Sequence, residues 1–311
     1  MPDTRDLPIG VFDSGLGGLT VVRELCRALP RESIIYLGDT ARCPYGPRDP
    51  REVRRFVLEI GAWLRSRCIK LMVIACNTAT AAGLTLAQRA FEVPVIGVIE
   101  PGARAAVMAT QNRRVGVIGT TGTVQSGAYS RAVHALDAGV AVFSAAAPKF
   151  VDVVEAGLRM DDSSVEDWMS KSGDALMQPS LFELGQDYLD PLKGSGIDTL
   201  VLGCTHFPLL SAAIQRSVGP DVRLISSAEE TAREVAEILE VRGQLAPAGT
   251  LPRHTFATTG DPREFEVLGS RVLGWSTGDV ESAPITELES LLDAGLLDAL
   301  ARYEAGEMAC D

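Results

Sequence analysis

The chain has 311 residues, 46% hydrophobic and 23% charged, with a net charge of −12. That is the balance of a globular protein with room for one large or two ordinary domains. With 29 Lys and Arg against 41 Asp and Glu there is no basic footprint for nucleic acid, so an anionic ligand must be captured by local donors.

The first ten residues are polar and lack the basic and apolar regions of a signal peptide. No apolar run approaches the roughly 18 residues of a membrane span. Six cysteines without a CxxC pair read as free thiols, which with the missing leader predicts a cytoplasmic protein without nucleic-acid or membrane partners. Along the chain, the apolar run 9–12 leads through Asp13-Ser14-Gly15-Leu16-Gly17-Gly18 into a helical pattern over 19–29. Further strands are expected at 33–37, 71–75, 93–99, 115–118, 140–143, 199–202 and 222–225, the last followed by an amphipathic helix over 229–241. Nearly continuous apolar strands alternating with helices predict an α/β protein with mainly parallel sheets covered on both faces. Ligands bind such sheets beyond the carboxyl ends of the strands.

Two pairs of strings share a layout: those starting at Gly10 and Gly116, and those starting at Val73 and Val201. A diverged duplication would place two similar, doubly wound domains face to face, each with one strand-end cysteine. The turn signal at Glu100-Pro101-Gly102 sets the expected division. Residues 1–100 plus 211–286 form the first domain with Cys76, residues 101–210 the second with Cys204, and 287–311 a helical tail. The polar stretch 161–193 reads as helix and loop decoration.

A lone cysteine after a buried strand is ordinarily inert packing. Cys76 and Cys204 differ: each stands where a strand gives way to a helix start, beside small polar donors, Asn77 and Thr78 or Thr205 and His206. First-turn amides favour thiolate, so a lowered thiol pKa is expected. Two opposed thiols suit removal of an amino-acid α-proton from one face and its return on the other. Such a site must also stabilise the developing carbanion through hydrogen bonds to the carboxylate.

The glycine-rich string at Asp13 reads as an anion nest of backbone amides. It is not a dinucleotide fingerprint, since Thr20 occupies the place of the third glycine. Asp13 is a helix cap, a partner for a substrate ammonium, or both. In the loop Gly38-Asp39-Thr40-Ala41-Arg42-Cys43-Pro44-Tyr45-Gly46, Tyr45 and the Gly46 amide could hold a second carboxylate. His206 can exchange a proton with Cys204. No further ligands accompany Cys204 and His206 at zinc-like spacing, so no metal is expected. The four lysines all lie away from the cysteine loops, which disfavours a pyridoxal Schiff base.

Taken together, these strings resemble the glutamate racemases of the aspartate/glutamate racemase superfamily. The matching segments are Phe12-Asp13-Ser14-Gly15-Leu16-Gly17-Gly18, Pro44-Tyr45-Gly46, Ala75-Cys76-Asn77-Thr78, Ile118-Gly119-Thr120 and Leu202-Gly203-Cys204-Thr205-His206. The resemblance implies a pseudosymmetric pair of α/β domains that binds L- and D-glutamate in the interdomain cleft without a cofactor. It implies that Cys76 deprotonates the D-isomer and Cys204 the L-isomer, with Asp13 and His206 assisting. Ser14, Tyr45, Gly46, Asn77, Thr78, Thr120 and Thr205 would bind substrate, and Glu155 would stand near the histidine. It further implies a cytoplasmic homodimer supplying D-glutamate for peptidoglycan.

Cys43 stands where the family carries Met, Val or Phe, and is expected to be sensitive to oxidation. Aspartate racemisation or a related isomerisation on the same scaffold is the nearest alternative, because side-chain length is read by cavity depth. A thiol redox enzyme would instead need its cysteines within disulfide distance. Regulation of DNA gyrase, a role of some family members, is a further alternative with no supporting feature in the sequence.

Overall fold

The computed structural model describes residues 3–160 and 179–307. Among these described residues ten strands form two sheets, and every pairing is parallel. The first sheet contains β1 (Ile9–Asp13), β2 (Ile34–Gly38), β3 (Leu71–Ile74), β4 (Val95–Gly97), β9 (His254–Thr258) and β10 (Val280–Ser282), in the order β10-β9-β2-β1-β3-β4. The second contains β5 (Arg114–Gly119), β6 (Ala141–Ala146), β7 (Thr199–Gly203) and β8 (Arg223–Ser226), in the order β6-β5-β7-β8. The order β2-β1-β3-β4 therefore recurs as β6-β5-β7-β8, and the two cysteine segments follow the equivalent strands β3 and β7.

Helices cover both faces of the central strands, and this is why β1, β3 and β7 are apolar without alternation and buried throughout. The N-terminal ends of β2 and β3 are tied by an enclosed ion pair. Lys70 Nζ lies 2.5 Å from Glu32 Oε2 and also donates to the carbonyls of Arg5 and Gln244 at 2.9 Å. Glu32 Oε1 accepts the Ala246 N–H at 2.7 Å, which fixes the connection into β9.

Three expectations about organisation change. The strand near 222–225 joins the second sheet, because β8 is the counterpart of β4. The chain returns to the first sheet only after the helix Ser227–Val241, with β9, and not near Leu210. Glu100-Pro101-Gly102 is no turn: it lies in the first turns of the helix Ile99–Ala109, where the N–H that proline lacks would have no helical partner. The tail forms the helices Ile285–Ser290 and Ala294–Glu304, which bury Leu288 and Leu296 in the first sheet's core. There Glu287 accepts the indole N–H of the fully buried Trp63 at 3.0 Å. Of the polar stretch, 179–193 lies in the helix Pro179–Gly194 and 161–178 lies outside the described residues. Among the described residues no helix is long and apolar enough to cross a membrane.

Candidate active site

The carboxyl ends of β1, β3, β5 and β7 converge on a narrow cavity of about 20 Å³ between the sheets, well below the volume of an open ligand pocket. Its lining holds Ser14, Tyr45, Gly46, Cys76, Asn77, Thr78, Thr120, Cys204, Thr205 and His206 from the expected set. Cys43, Pro44 and Val151 complete it. Asp13 and Glu155 lie behind this surface, in contact with residues that form it.

Glycines let the two halves approach. A Cβ on Gly17 would collide with Thr205 Oγ1 and come within 2.7 Å of His206 Nδ1. Gly122 N–H donates to the Gly46 carbonyl at 3.0 Å across the cleft mouth, and a Cβ there would sit 2.8 Å from that oxygen. The glycine-rich loop is not an open nest for ligand. Gly15 N–H donates to Asp13 Oδ2 at 3.0 Å, and the amides of Leu19, Thr20 and Val21 are taken by the carbonyls of Leu16, Gly17 and Gly18. The loop thus cradles the carboxyl of Asp13, which burial raises above the usual carboxylate range against the lowering effect of His206. Thr205 Oγ1 reaches Asp13 Oδ1 from the other half at 3.4 Å.

Cys76 caps the helix Asn77–Ala90, its Sγ accepting the Ala79 N–H at 3.5 Å, and the thiol reaches Ser14 Oγ at 3.7 Å. The expected drop in its pKa is reversed. Enclosure in the cleft and the neighbouring Asp13 push the Cys76 thiol up to about 12, outweighing the helix amide and Ser14. Cys76 therefore stands as a thiol.

Around Cys204 the support is different. Its Sγ lies 3.8 Å from His206 Nδ1, and His206 Nε2 lies 3.5 Å from Glu155 Oε1. The second contact is an ion pair without hydrogen-bond alignment. Burial opposes the charge on His206, but Cys204, Glu155 and Asp13 overcome it and carry the imidazolium up to about 10. Glu155 is held below the usual carboxylate range by His206, against its partial burial.

Cys43 also meets Glu155, at 3.6 Å. Burial and that carboxylate raise its thiol far above the ordinary value, so it stays protonated. Since the thiolate is the reactive form, this removes the basis for expecting an oxidation-sensitive site.

The substrate loop holds a second correction. The Tyr45 side chain is buried and its hydroxyl donates to Asp39, so it is not free to bind a carboxylate. Asp39 also accepts from Arg42 Nε and Thr259 Oγ1, each at 2.7 Å, and Arg42 reaches on to Glu59. This buried network braces the loop and leaves its backbone facing the cleft. No local string signals it, because Glu59 and Thr259 come from distant segments. Across the cleft, Thr78, Thr120 and Thr123 join hydroxyls at 2.9 to 3.3 Å.

Comparison with known proteins gives one consistent answer. The pattern of the Asp/Glu/Hydantoin racemase family matches residues 9–235. The glutamate racemase of Geobacter metallireducens is 46% identical over 272 residues, 88% of this chain and 94% of its own length. The crystal structure of a Bacillus anthracis glutamate racemase isoform superposes with a TM-score of 0.79 at 43% identity, over 94% of this chain and 99% of that one. That of the Francisella tularensis enzyme in complex with D-glutamate gives 0.79 at 30% identity, over 90% and 98%. With a duplicated parallel α/β frame, a cysteine at the end of each equivalent strand and relatives matched over nearly their whole length, the chain belongs to the Asp/Glu/Hydantoin racemase family and stands among its glutamate racemases.

Proposed function

We propose that this protein interconverts L- and D-glutamate without a cofactor, by a two-thiol acid/base mechanism. One observation carries the reading: Cys76 and Cys204 arise from equivalent strands of opposite halves and line a single cavity. A proton can thus leave Cα on one side and return on the other.

With L-glutamate in the cleft, the Cys204 thiolate, facing the His206 imidazolium, takes the α-proton. The Cys76 thiol then delivers its own proton to the opposite face. One C–H bond breaks and one forms, leaving Cys204 as thiol and Cys76 as thiolate, the form that acts on the D-isomer. The carbanion is held by hydrogen bonds to the substrate carboxylate from Asn77 and the threonine hydroxyls, at the positive end of the helix Asn77–Ala90. Asp13 and the Ser14 hydroxyl support Cys76, while Glu155 keeps His206 charged. The physiological role that fits is supply of D-glutamate for peptidoglycan by a cytoplasmic homodimer.

The test is incubation in heavy water with L- or D-glutamate and no added cofactor, following deuterium at Cα by NMR and inversion by polarimetry, with aspartate in parallel. Exchange and inversion with glutamate alone are expected. Activity on aspartate instead would keep the chemistry and overturn the substrate. A Cys204→Ala or Cys76→Ala protein with normal turnover would overturn the two-thiol scheme.

A further inference from the structure

Asn77 brings to the cleft a donor without a hydrogen-bond partner among the described residues. Asn77 is 2% exposed, lines the cavity, and its Nδ2 makes no hydrogen bond. An unsatisfied buried amide costs on the order of 1–3 kcal/mol, which a ligand acceptor would recover. The other end of the same amide is fixed. The Tyr129 hydroxyl, on the helix Ala128–Leu136 of the second half, donates to Asn77 Oδ1 at 2.8 Å.

Tyr129 is itself enclosed, packed with Ile99, Ala103 and Val133. Burial holds its phenol proton in place against the opposing contact of Ser227, so the proton is there for Asn77 Oδ1. With Tyr129 donating to Oδ1, the amide stands with its oxygen towards Tyr129 and its N–H towards the cleft. The reverse flip would turn a carbonyl oxygen on an arriving carboxylate, beside a helix start that otherwise favours anions.

We propose that Tyr129 is a positioning residue that locks the Asn77 amide with its N–H presented to a substrate carboxylate. The inference rests on the racemase reading, which supplies the carboxylate, and the lock runs from one half of the molecule to the other.

The experiment compares wild type, Tyr129→Phe, Asn77→Ala and the double variant, reading kcat/KM for glutamate and the Kd for glutarate, an achiral dicarboxylate. Tyr129→Phe keeps the ring and should lower kcat/KM about tenfold and weaken glutarate by a similar factor. In the Asn77→Ala background the same change should have no further effect. Asn77→Asp, which keeps the shape but replaces the donor by an acceptor, should weaken glutarate more than either. Equal losses from Tyr129→Phe in both backgrounds would mean that Tyr129 only packs, and would overturn the proposal. So would full activity in Tyr129→Phe, or glutarate binding undisturbed by Asn77→Asp. A folded wild type that binds glutarate through Asn77 but racemises nothing would overturn the racemase reading alone.

Discussion

Replacing Glu155 by Gln removes the charge facing His206 across 3.5 Å while keeping the side-chain volume. At an effective dielectric of about 20, a unit pair at that distance is worth roughly 5 kcal/mol. The Glu155 side chain is 25% exposed and His206 4%, so solvent reduces this to roughly 1–3 kcal/mol. Each pKa unit corresponds to about 1.4 kcal/mol, so His206 should fall by about one to two units from its value near 10. In the proposed reaction the imidazolium faces Cys204, so the alkaline limb of kcat/KM should move down by the same amount.

The stability consequence has a defined sign. The His206 pKa is raised in the folded protein, so its contribution is complete below the ordinary value of 6.5 and fades as pH rises towards about 10. In Glu155→Gln that loss should finish at lower pH. The assay is initial racemisation rate against pH from each enantiomer, with melting temperature over the same range. Mirror-image substrates have equal free energy in water, so kcat/KM from L and from D must coincide for every variant, which checks the measurement internally. An alkaline limb in Glu155→Gln superimposable on wild type would refute the role assigned to the ion pair.

Two further outcomes follow from buried groups. Cys43→Ala should be inactivated by peroxide at the same rate as wild type, because burial and Glu155 keep that thiol protonated; clear protection in the variant would contradict this. Lys70→Met strands the Glu32 carboxylate with the Ala246 N–H and should cost about 3–5 kcal/mol. Its melting temperature should fall by several degrees, and an unchanged one would show that the pair is dispensable.

Local chemistry at strand ends was readable from the sequence because the residues concerned are neighbours in the chain: Cys76 with Asn77 and Thr78, Cys204 with Thr205 and His206. Their convergence on one cavity followed from the duplicated layout. Features that depend on distant partners were not readable. The strand His254–Thr258 carries polar residues at both ends and no long apolar run, so it gave little strand signal, though it pairs with β2 along its whole length. The Tyr45 hydroxyl looks available until Asp39 is seen to take it. The upward shift of the Cys76 thiol is not legible in the sequence, which shows a helix start, whereas burial beside Asp13 is a tertiary property. Asn77 and Tyr129 lie 52 positions apart, with nothing in either string to pair them.

The frame is repeated, but the chemistry around the two thiols is not. Cys76 has a hydroxyl, a helix amide and a carboxyl whose own charge is disfavoured by burial. Cys204 has an imidazolium backed by a carboxylate. A reaction with an equilibrium constant of unity does not require matched acids, because the constraint falls on kcat/KM for the whole cycle and not on each thiol. In the proposed scheme, unequal support sets instead which protonation form the enzyme prefers. With Cys76 held as a thiol, the resting form is the one that donates from the Cys76 side, and in the proposed scheme that form consumes L-glutamate. Turnover from the D-isomer must then begin by moving a proton off Cys76. In that scheme a positive charge carried in by the substrate near Cys76 would lower the cost, because an opposite charge favours the thiolate.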